Sequence, residues 1–302
     1  MTPRPDVLYA APGAGLGHLV RAAAVCRCLE AEGVRVRIVT HSRFTPGLRH
    51  LTNLKIDFIP STAWRRSIPA YARGCQPGLV VLDTFPWGLR GEWKNVTGLR
   101  FVTLARRLKV AGYLEAAGLG WEASSLHLAR IIVSEPLTDD HLALLEASQG
   151  DLKTLPGRIR FPSHDTPIPL PSELAGMLTD DRVWLVVHSG PVPEVLRLAA
   201  KAEEDMEKNG GGRLAAILPL DPGMLPCPVF EYFPAARAYE QAFRVVTGAG
   251  YNSLADLAAC PEKHVPVPFD RRYDDQAGRL TGRPAGRENG APAAARLIME
   301  WL

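Results

Sequence analysis

The sequence predicts an α/β protein of two domains, and three features of the 302-residue chain support this prediction. Short apolar runs alternate with helical patterns through the first half of the chain. A proline-rich stretch, RFPSHDTPIPLPSEL at 160–174, interrupts the alternation, which restarts with VWLVVHS at 183–189. Alternating strands and helices form a parallel sheet that is covered by helices on both faces. We therefore predict one domain at 1–165, a second at 166–302, and a cleft between them.

Each strand of the first domain is predicted from an apolar run. These runs are DVLYAA, VRVRIVT, LKIDFIP, GLVVLD, LRFVTLA and ARIIVSE, at 6–11, 34–40, 54–60, 78–83, 99–105 and 129–135. Between the first two runs, apolar residues recur at three- and four-residue spacing from Leu19 to Leu29, which predicts a helix that ends at Gly33. In the second domain, further strands are predicted at 213–220 and 243–249, after a helix within 193–212.

The composition excludes several classes of protein. Charged residues make up 22% of the chain and hydrophobic residues 46%, and the formal net charge of +3 is too small to indicate nucleic-acid binding. No apolar run approaches the roughly 20 residues that span a bilayer, which leaves peripheral contact with a membrane open. The five cysteines are scattered, so we expect reduced side chains and a cytoplasmic protein. No metal-binding motif occurs, and no pattern in the sequence predicts an oligomeric state.

A glycine-rich turn follows the first predicted strand. Gly13, Gly15 and Gly17 are spaced G-x-G-x-G and lead directly into His18. The dinucleotide-binding fingerprint needs its third glycine where His18 stands, and it needs an acid at the end of the second strand, which here ends IVTHS. The lysine of a phosphate-binding P-loop is absent as well. The turn therefore disfavours NAD and suits another ligand that approaches the backbone closely.

His18 and Asp83 are candidates for catalysis. His18 lies near the N-terminus of the predicted helix, where the helix dipole disfavours an imidazolium and favours a neutral general base. The alternative is that His18 only caps the helix or packs against the turn. Asp83 ends the strand GLVVLD, and parallel strands open their carboxyl ends on one edge. We predict that Asp83 lies near His18 and holds its tautomer; otherwise it caps the turn DTFPWG.

Two segments resemble glycosyltransferases of the GT-B fold, and most of all the branch that includes the peptidoglycan-precursor N-acetylglucosaminyltransferase. One is the turn GAGLGH. The other, FRVVTGAGYNSLADLAACPEKHVPVPFDRRYDDQAGRL at 243–280, has in order a strand, a small-residue turn, a helix with Ser253 and Asp256, a P-x-P strand and an acid–Gln pair. The resemblance implies two Rossmann-like domains, the acceptor side at 1–165 and the nucleotide-sugar side at 166–302.

The same resemblance implies the site residues of the first domain and the substrates. His18 and Asp83 would be catalytic, and the glycines at 13, 15 and 17 would form the acceptor loop. The substrates would be a nucleotide-sugar, UDP- or dTDP-linked, and an unidentified acceptor. Neither a cofactor nor a metal ion is implied.

The resemblance assigns donor binding to the second domain. The residues carried over are Ser189, Gly190, Tyr232, Phe233, Gly248, Ala249, Gly250, Asn252, Ser253, Asp256, Asp275 and Gln276. The turn at 248–253 would bind the diphosphate at a helix N-terminus, and Ser189 with Gly190 would add phosphate contacts. The base would lie near Tyr232 and Phe233.

Two of these assignments have alternatives. Asp256 would accept hydrogen bonds from the ribose, but Ser253-x-x-Asp256 also has the pattern of a capping box. Asp275 and Gln276 would contact the hydroxyls of the sugar, but they could instead belong to a solvated loop in a charged run.

Two other functions stay open. The motif GLGHLVR also resembles small hydrolases of the same fold that cleave a nucleotide-sugar, in which His18 would activate water. If His18 and Asp83 do not converge, a nucleotide-sugar-binding protein without turnover is the remaining alternative.

Overall fold

The chain divides into two units, each of which contains one parallel sheet. The computed structural model describes residues 4–13, 15–46, 52–120, 128–162, 168–180, 182–282 and 284–302. The first unit comprises Met1–Phe161 together with Arg271–Leu302, and the second comprises Pro162–Asp270. The boundary predicted between 165 and 166 lies outside the described residues. The prediction that the end of the chain belongs to the second domain is corrected, because residues 271–302 pack with the first unit.

The sheet of the first unit is parallel throughout. Its strands are β1 (Val7–Ala11), β2 (Val36–Thr40), β3 (Ile56–Phe58), β4 (Leu79–Asp83), β5 (Phe101–Ala105), β6 (Leu128–Val133) and β7 (Asp151–Thr154). Their order in the sheet is β3-β2-β1-β4-β5-β6-β7. Every residue of β1, β4 and β5 is buried, as expected for strands covered on both faces. The polar edge strand β7, DLKT, was not predicted because it has no apolar run.

The sheet of the second unit has the same plan with fewer strands. These are β8 (Val183–Val187), β9 (Arg213–Ile217), β10 (Val229–Phe230), β11 (Arg244–Gly248) and β12 (His264–Val267). They are parallel, in the order β10-β9-β8-β11-β12. In both sheets the chain therefore starts in the middle, runs to one edge and returns to complete the other half.

Helices connect the strands. They are α1 (Gly17–Ala31), α2 (Ser61–Cys75), α3 (Val110–Ala117), α4 (Asp139–Glu146), α5 (Ser172–Asp180), α6 (Val192–Lys208), α7 (Tyr251–Asp256), α8 (Gln276–Thr281) and α9 (Ala291–Met299). Short 3₁₀ helices lie at Ala235–Ala238, Leu257–Ala259 and Pro261–Lys263. Among the described residues, no helix is both long and apolar enough to cross a membrane.

The strand order fixes where a ligand would meet each sheet. In open α/β sheets, ligands bind beyond the carboxyl ends of the strands at the point where the strand order reverses. In the first unit this point lies between β1 and β4, and in the second between β8 and β11. The loop that leads to His18 leaves β1, and Asp83 is the last residue of β4.

The last helix belongs to the first unit because of its apolar face. Helix α9 packs against α1, and its Ala294, Ala295 and Ile298 are buried. Arg130, a buried residue of β6, donates a hydrogen bond to the carbonyl of Leu297 at 3.1 Å. These contacts join the chain end to the first sheet.

We predict that Ile298→Ala destabilises the first unit. The side chain is completely buried, so its truncation should lower the free energy of unfolding by about 2–5 kcal/mol. Hydrogen exchange measured by mass spectrometry should show faster exchange in α1 and unchanged exchange in α6. The exposed Arg296 of the same helix provides the control, Arg296→Ala. Faster exchange in α6 rather than α1 would contradict the assignment of α9 to the first unit.

Candidate functional site

The carboxylate of Asp83 is the centre of a buried polar cluster in the first unit. Its side chain has no exposure at the end of β4. One oxygen, Oδ2, lies 2.6 Å from Nδ1 of His18 and 2.8 Å from Nη2 of Arg21. The other, Oδ1, accepts from Nε of Arg21 at 3.1 Å and from the hydroxyl of Tyr9 at 3.5 Å. The structure thus brings His18 and Asp83 together and adds Arg21, the arginine of the motif GLGHLVR, to which the sequence analysis gave no role of its own.

The hydrogen bond to Asp83 determines the tautomer of His18. A carboxylate can only accept, so Nδ1 carries the proton and Nε2 keeps its lone pair. The ring stands in the first turn of α1 and is 15% exposed. Burial lowers the pKa of His18 to about 4, although Asp83 acts in the opposite direction. For Asp83, burial would raise the pKa, but Arg21 and His18 together bring it down to about 2. At neutral pH the pair therefore consists of a neutral imidazole that is hydrogen-bonded to an ionised carboxylate.

Gly13 makes room for this imidazole. A Cβ atom on Gly13 would stand 2.6 Å from Cδ2 of His18, and its φ of +137° also disfavours any side chain. Its N–H donates to Nε2 of His41, whose pKa burial lowers to about 4. Gly15, by contrast, has nothing within 4 Å of its Cβ position, and Gly17 is the first residue of α1. Of Gly13 and Gly15, only Gly13 therefore adjoins the His18 ring.

Thr84 follows Asp83 in a strained backbone conformation. Its φ of +76° is unusual for a β-branched residue and costs about 1–3 kcal/mol, so it persists only where its neighbours fix it. The hydroxyl oxygen accepts hydrogen bonds from Nη2 of Arg21 at 3.1 Å and from Nε of Arg106 at 3.0 Å. Both arginines are almost completely buried, so they hold Thr84 and Asp83 in place together.

A chain of buried ion pairs continues from Arg106. Asp274 lies 3.2 Å from Nη1 of Arg106 and 2.6 Å from Nη2 of Arg279. Arg279 also donates to both oxygens of Glu135, at 2.8 and 3.0 Å. Burial would raise the pKa of Glu135, yet the arginines around it, Arg279 first, keep the pKa below its usual value. This network connects the His18 cluster to the returning segment at 274–279.

Asp275 and Gln276 belong to this network, which corrects their predicted place in the second domain. Asp275 accepts from the N–H of Gly278 at the start of α8 and from Nε of Arg107, at 3.0 and 2.6 Å. Gln276 is buried, and its amide donates to Asp274 at 3.2 Å. Both residues lie in the first unit with partners in the protein. They do not form a solvated loop, and their contact with the hydroxyls of a sugar stays a prediction.

The turn after β11 lies at the expected edge of the second sheet. Gly248 ends β11, and its Cβ position is 3.3 Å from both the ring of His188 and the ring of Phe269. The N–H of Ala249 donates to the carbonyl of Val267 at 2.9 Å. Gly250 precedes α7 as its N-cap residue. The glycines thus keep this turn close to the ring of His188.

Helix α7 places Ser253 and Asp256 differently from a capping box. It starts at Tyr251, so Ser253 and Asn252 lie within its first turn, and no side chain caps its N-terminus. Asp256 is its last residue. The capping-box alternative is therefore wrong, because Gly250 occupies the cap position. Asn252, Ser253 and Asp256 are all half-buried.

A histidine–glutamate pair stands beside this turn and was missed by the sequence analysis. His188 follows β8, and its Nε2 lies 2.7 Å from Oε2 of Glu194 in the first turn of α6. A Cβ atom on Gly190 would come within 2.2 Å of the His188 ring, so this glycine makes room for the pair. Ser189, between them, is half-buried. The six-residue spacing of a strand-end histidine and a glutamate was the available signal.

The two aromatic residues assigned to base recognition lie after β10. Tyr232 donates from its hydroxyl to the carbonyl of Ile168 at 3.0 Å. Phe233 precedes a cis peptide bond to Pro234. Both side chains are half-buried. Within the parts of the chain that the structure describes, no group of three or more histidines, cysteines or carboxylates is arranged to hold a metal ion.

Comparison with known proteins supports the fold. No protein-family model matches this sequence, and no curated protein sequence matches it. Among solved structures, the glycosyltransferase SsfS6 of Streptomyces sp. SF2575, complexed with thymidine diphosphate, is similar with a TM-score of 0.61 at 14% identity. That alignment covers 97% of this chain and 91% of SsfS6.

Two further structures extend the comparison. The glycosyltransferase SnogD from Streptomyces nogalater has a TM-score of 0.54 at 16% identity, over 99% of this chain and 95% of its own. The UDP-GlcNAc 2-epimerase from Methanocaldococcus jannaschii has a TM-score of 0.53 at 10% identity, over 97% of this chain and 99% of its own. The chain therefore has the α/β fold found in GT-B glycosyltransferase structures.

Proposed function

We propose that this chain is a glycosyltransferase that moves a sugar from a nucleotide diphosphate to an acceptor hydroxyl, with His18 as general base and with neither a metal ion nor a cofactor. The observation that carries the proposal is the 2.6 Å contact between His18 and Asp83. It leaves Nε2 of a neutral imidazole as a proton acceptor at the edge of the sheet where ligands bind in such folds.

The proposed reaction has one proton transfer and one substitution. Nε2 of His18 takes the proton of the acceptor hydroxyl while the oxygen forms a bond to the anomeric carbon. The bond from that carbon to the diphosphate oxygen breaks, and the nucleoside diphosphate leaves with the electron pair. Asp83 then stabilises the imidazolium through the hydrogen bond that it already accepts.

The second unit is proposed to bind the donor. Support comes from the turn at 248–253, which lies where the order of the second sheet reverses, and from the similarity to SsfS6, which is complexed with thymidine diphosphate. Backbone N–H groups in such a turn would stabilise the leaving diphosphate. We propose a UDP- or dTDP-linked donor, and the resemblance to the peptidoglycan-precursor branch makes UDP-N-acetylglucosamine the first donor to try.

Hydrolysis of the nucleotide-sugar is the second candidate. The motif GLGHLVR favours it, because His18 and Arg21 both belong to this motif and both contact the carboxylate of Asp83. Water would then replace the acceptor hydroxyl, and the rest of the chemistry would be the same. The two functions differ only in the nucleophile.

The proposed function is tested with a panel of UDP- and dTDP-sugars, each incubated with and without alcohols and lipid-linked or small glycoside acceptors. We expect nucleoside diphosphate to be released faster with one acceptor, with a glycosylated product and with little free sugar. Activity should survive EDTA. Rapid release of free sugar without any acceptor would favour hydrolysis, and loss of activity in EDTA that magnesium restores would contradict metal independence.

Replacing the general base should slow the reaction without weakening the binding of the donor. We predict that His18→Ala lowers kcat by about 100- to 10,000-fold, because the acceptor loses its proton acceptor. Calorimetry should show an unchanged Kd for the nucleoside diphosphate, since a general base acts on the acceptor. Near-normal turnover in His18→Ala would show that His18 is not the base.

The glycine turn offers a matched pair of variants. Gly13→Ala places a methyl group 2.6 Å from the His18 ring, so the ring must move and the rate should fall by about 100-fold. Gly15→Ala introduces the same methyl group where no protein atom lies within 4 Å, so the His18 ring stays in place and kcat should fall far less. Steady-state kinetics on both variants provide the comparison. Equal rates in the two variants would mean that the position of the His18 ring does not matter for turnover.

A further inference from the structure

Arg21 competes with His18 for one carboxylate oxygen. Its Nη2 lies 2.8 Å from Oδ2 of Asp83, the same oxygen that His18 contacts at 2.6 Å. The two donors are only 3.2 Å apart. Nδ1 of His18 already donates to Asp83, so it cannot also accept a hydrogen bond from Arg21. The two nitrogen atoms are close because their N–H groups point at the same acceptor oxygen.

This arrangement changes what Asp83 can do for His18. A carboxylate that faced the imidazole alone would stabilise its cation and make His18 a stronger base. Here Asp83 is ion-paired with the Arg21 guanidinium through both oxygens, and a protonated ring would stand beside that guanidinium. The carboxylate therefore orients the ring while much of its charge is already neutralised.

The other surroundings of the ring do not reverse this effect. The charged groups that act on His18 are Asp83 from β4, Arg21 from α1, and Arg106 after β5. The ring of Phe85, whose centroid lies 5.7 Å from that of His18, and Gly13, which adjoins the ring, carry no charge. His41 accepts a hydrogen bond from the N–H of Gly13, and its own low pKa keeps it neutral.

The side chain of Arg21 is buried, and hydrogen bonds fix it as they fix those of His18 and Asp83. Its side chain is 2% exposed, and the hydroxyl of Thr84 accepts from Nη2 at 3.1 Å. Thr84 is strained at φ +76°, and Arg106 binds the same hydroxyl at 3.0 Å. A backbone strain maintained at this point by two buried arginines indicates a fixed arrangement rather than a mobile surface contact.

We propose that Arg21 is a positioning residue that adds to burial in keeping His18 neutral, while Asp83 fixes the tautomer of the ring. Asp83 still orients the ring, but it stabilises the cation of the ring less than the carboxylate of a simple Asp–His pair would. The proposal rests on the proposed function only for its kinetic consequence, which is that the enzyme would stay active into mildly acidic solution.

The test is an NMR titration of the His18 imidazole in the full chain. Arg21→Met removes the guanidinium and should raise the pKa of His18 by about one unit or more. Arg21→Lys keeps a positive charge and should shift the pKa less. Arg27→Met makes the same change six residues further along α1, where the guanidinium stacks on Phe161 instead, and should leave the titration unchanged.

A double variant distinguishes the effect of removing the Arg21 charge from the effect of local unfolding. In Arg21→Met with Asp83→Asn, the buried ring has no carboxylate partner, so its pKa should fall below the value in Arg21→Met alone. Local unfolding would instead expose the ring and give both variants the same pKa, near the ordinary value of about 6.5. That result, or a His18 pKa that does not change in Arg21→Met, would overturn the proposal.

Kinetics provide the second readout. In active protein, the acid limb of the kcat/KM profile should move to higher pH in Arg21→Met and follow the titration, with kcat/KM falling about tenfold per pH unit below the limb. A uniform loss of activity with an unchanged profile would indicate a merely structural role and would overturn the proposal. Failure of the proposed function would appear separately, as turnover that survives His18→Ala, while the NMR titration would still test Arg21.

Discussion

A carboxylate buried at a strand end must be neutralised where it lies, and Asp83 imposes this constraint on the surrounding residues. Arg21 supplies the opposite charge and His18 a hydrogen bond, both from the first two turns of α1. The backbone before α1 must then leave room for the imidazole, which Gly13 does. The arrangement has a chemical result as well, because a neutral imidazole held through Nδ1 presents Nε2 as a proton acceptor.

Much of the fold and one part of the site could be predicted from the sequence, for the same physical reason. Strands buried on both faces are continuous apolar runs, so β1, β4 and β5 are visible in the sequence, and their alternation with helices implies parallel pairing. Parallel strands end on one edge, and β1 and β4 are neighbours in the sheet. The proximity of His18 and Asp83 follows from these two facts, although the residues are 65 positions apart.

The rest depends on contacts that have no local pattern. Arg279 and Glu135 are 144 residues apart, and nothing in either segment indicates that a buried ion pair would bring the chain end back to the first unit. Asp275 and Gln276 were therefore assigned to the wrong unit. The strain at Thr84 is also invisible, since a β-branched residue gives no sign of a positive φ. In the second unit, the capping pattern of Ser253 was misleading because the helix starts after Gly250.

The protonation state of the two His18 nitrogens tests this account most directly. The measurement is a long-range ¹H–¹⁵N correlation spectrum of ¹⁵N-histidine-labelled protein at neutral pH, with His18 identified from the spectrum of His18→Ala. The account predicts a neutral ring whose Nδ1 carries the proton and whose Nε2 does not, as required by the hydrogen bond to Asp83. A proton on Nε2, or a doubly protonated ring at neutral pH, would contradict it, because His18 could then take no proton from an acceptor at that atom.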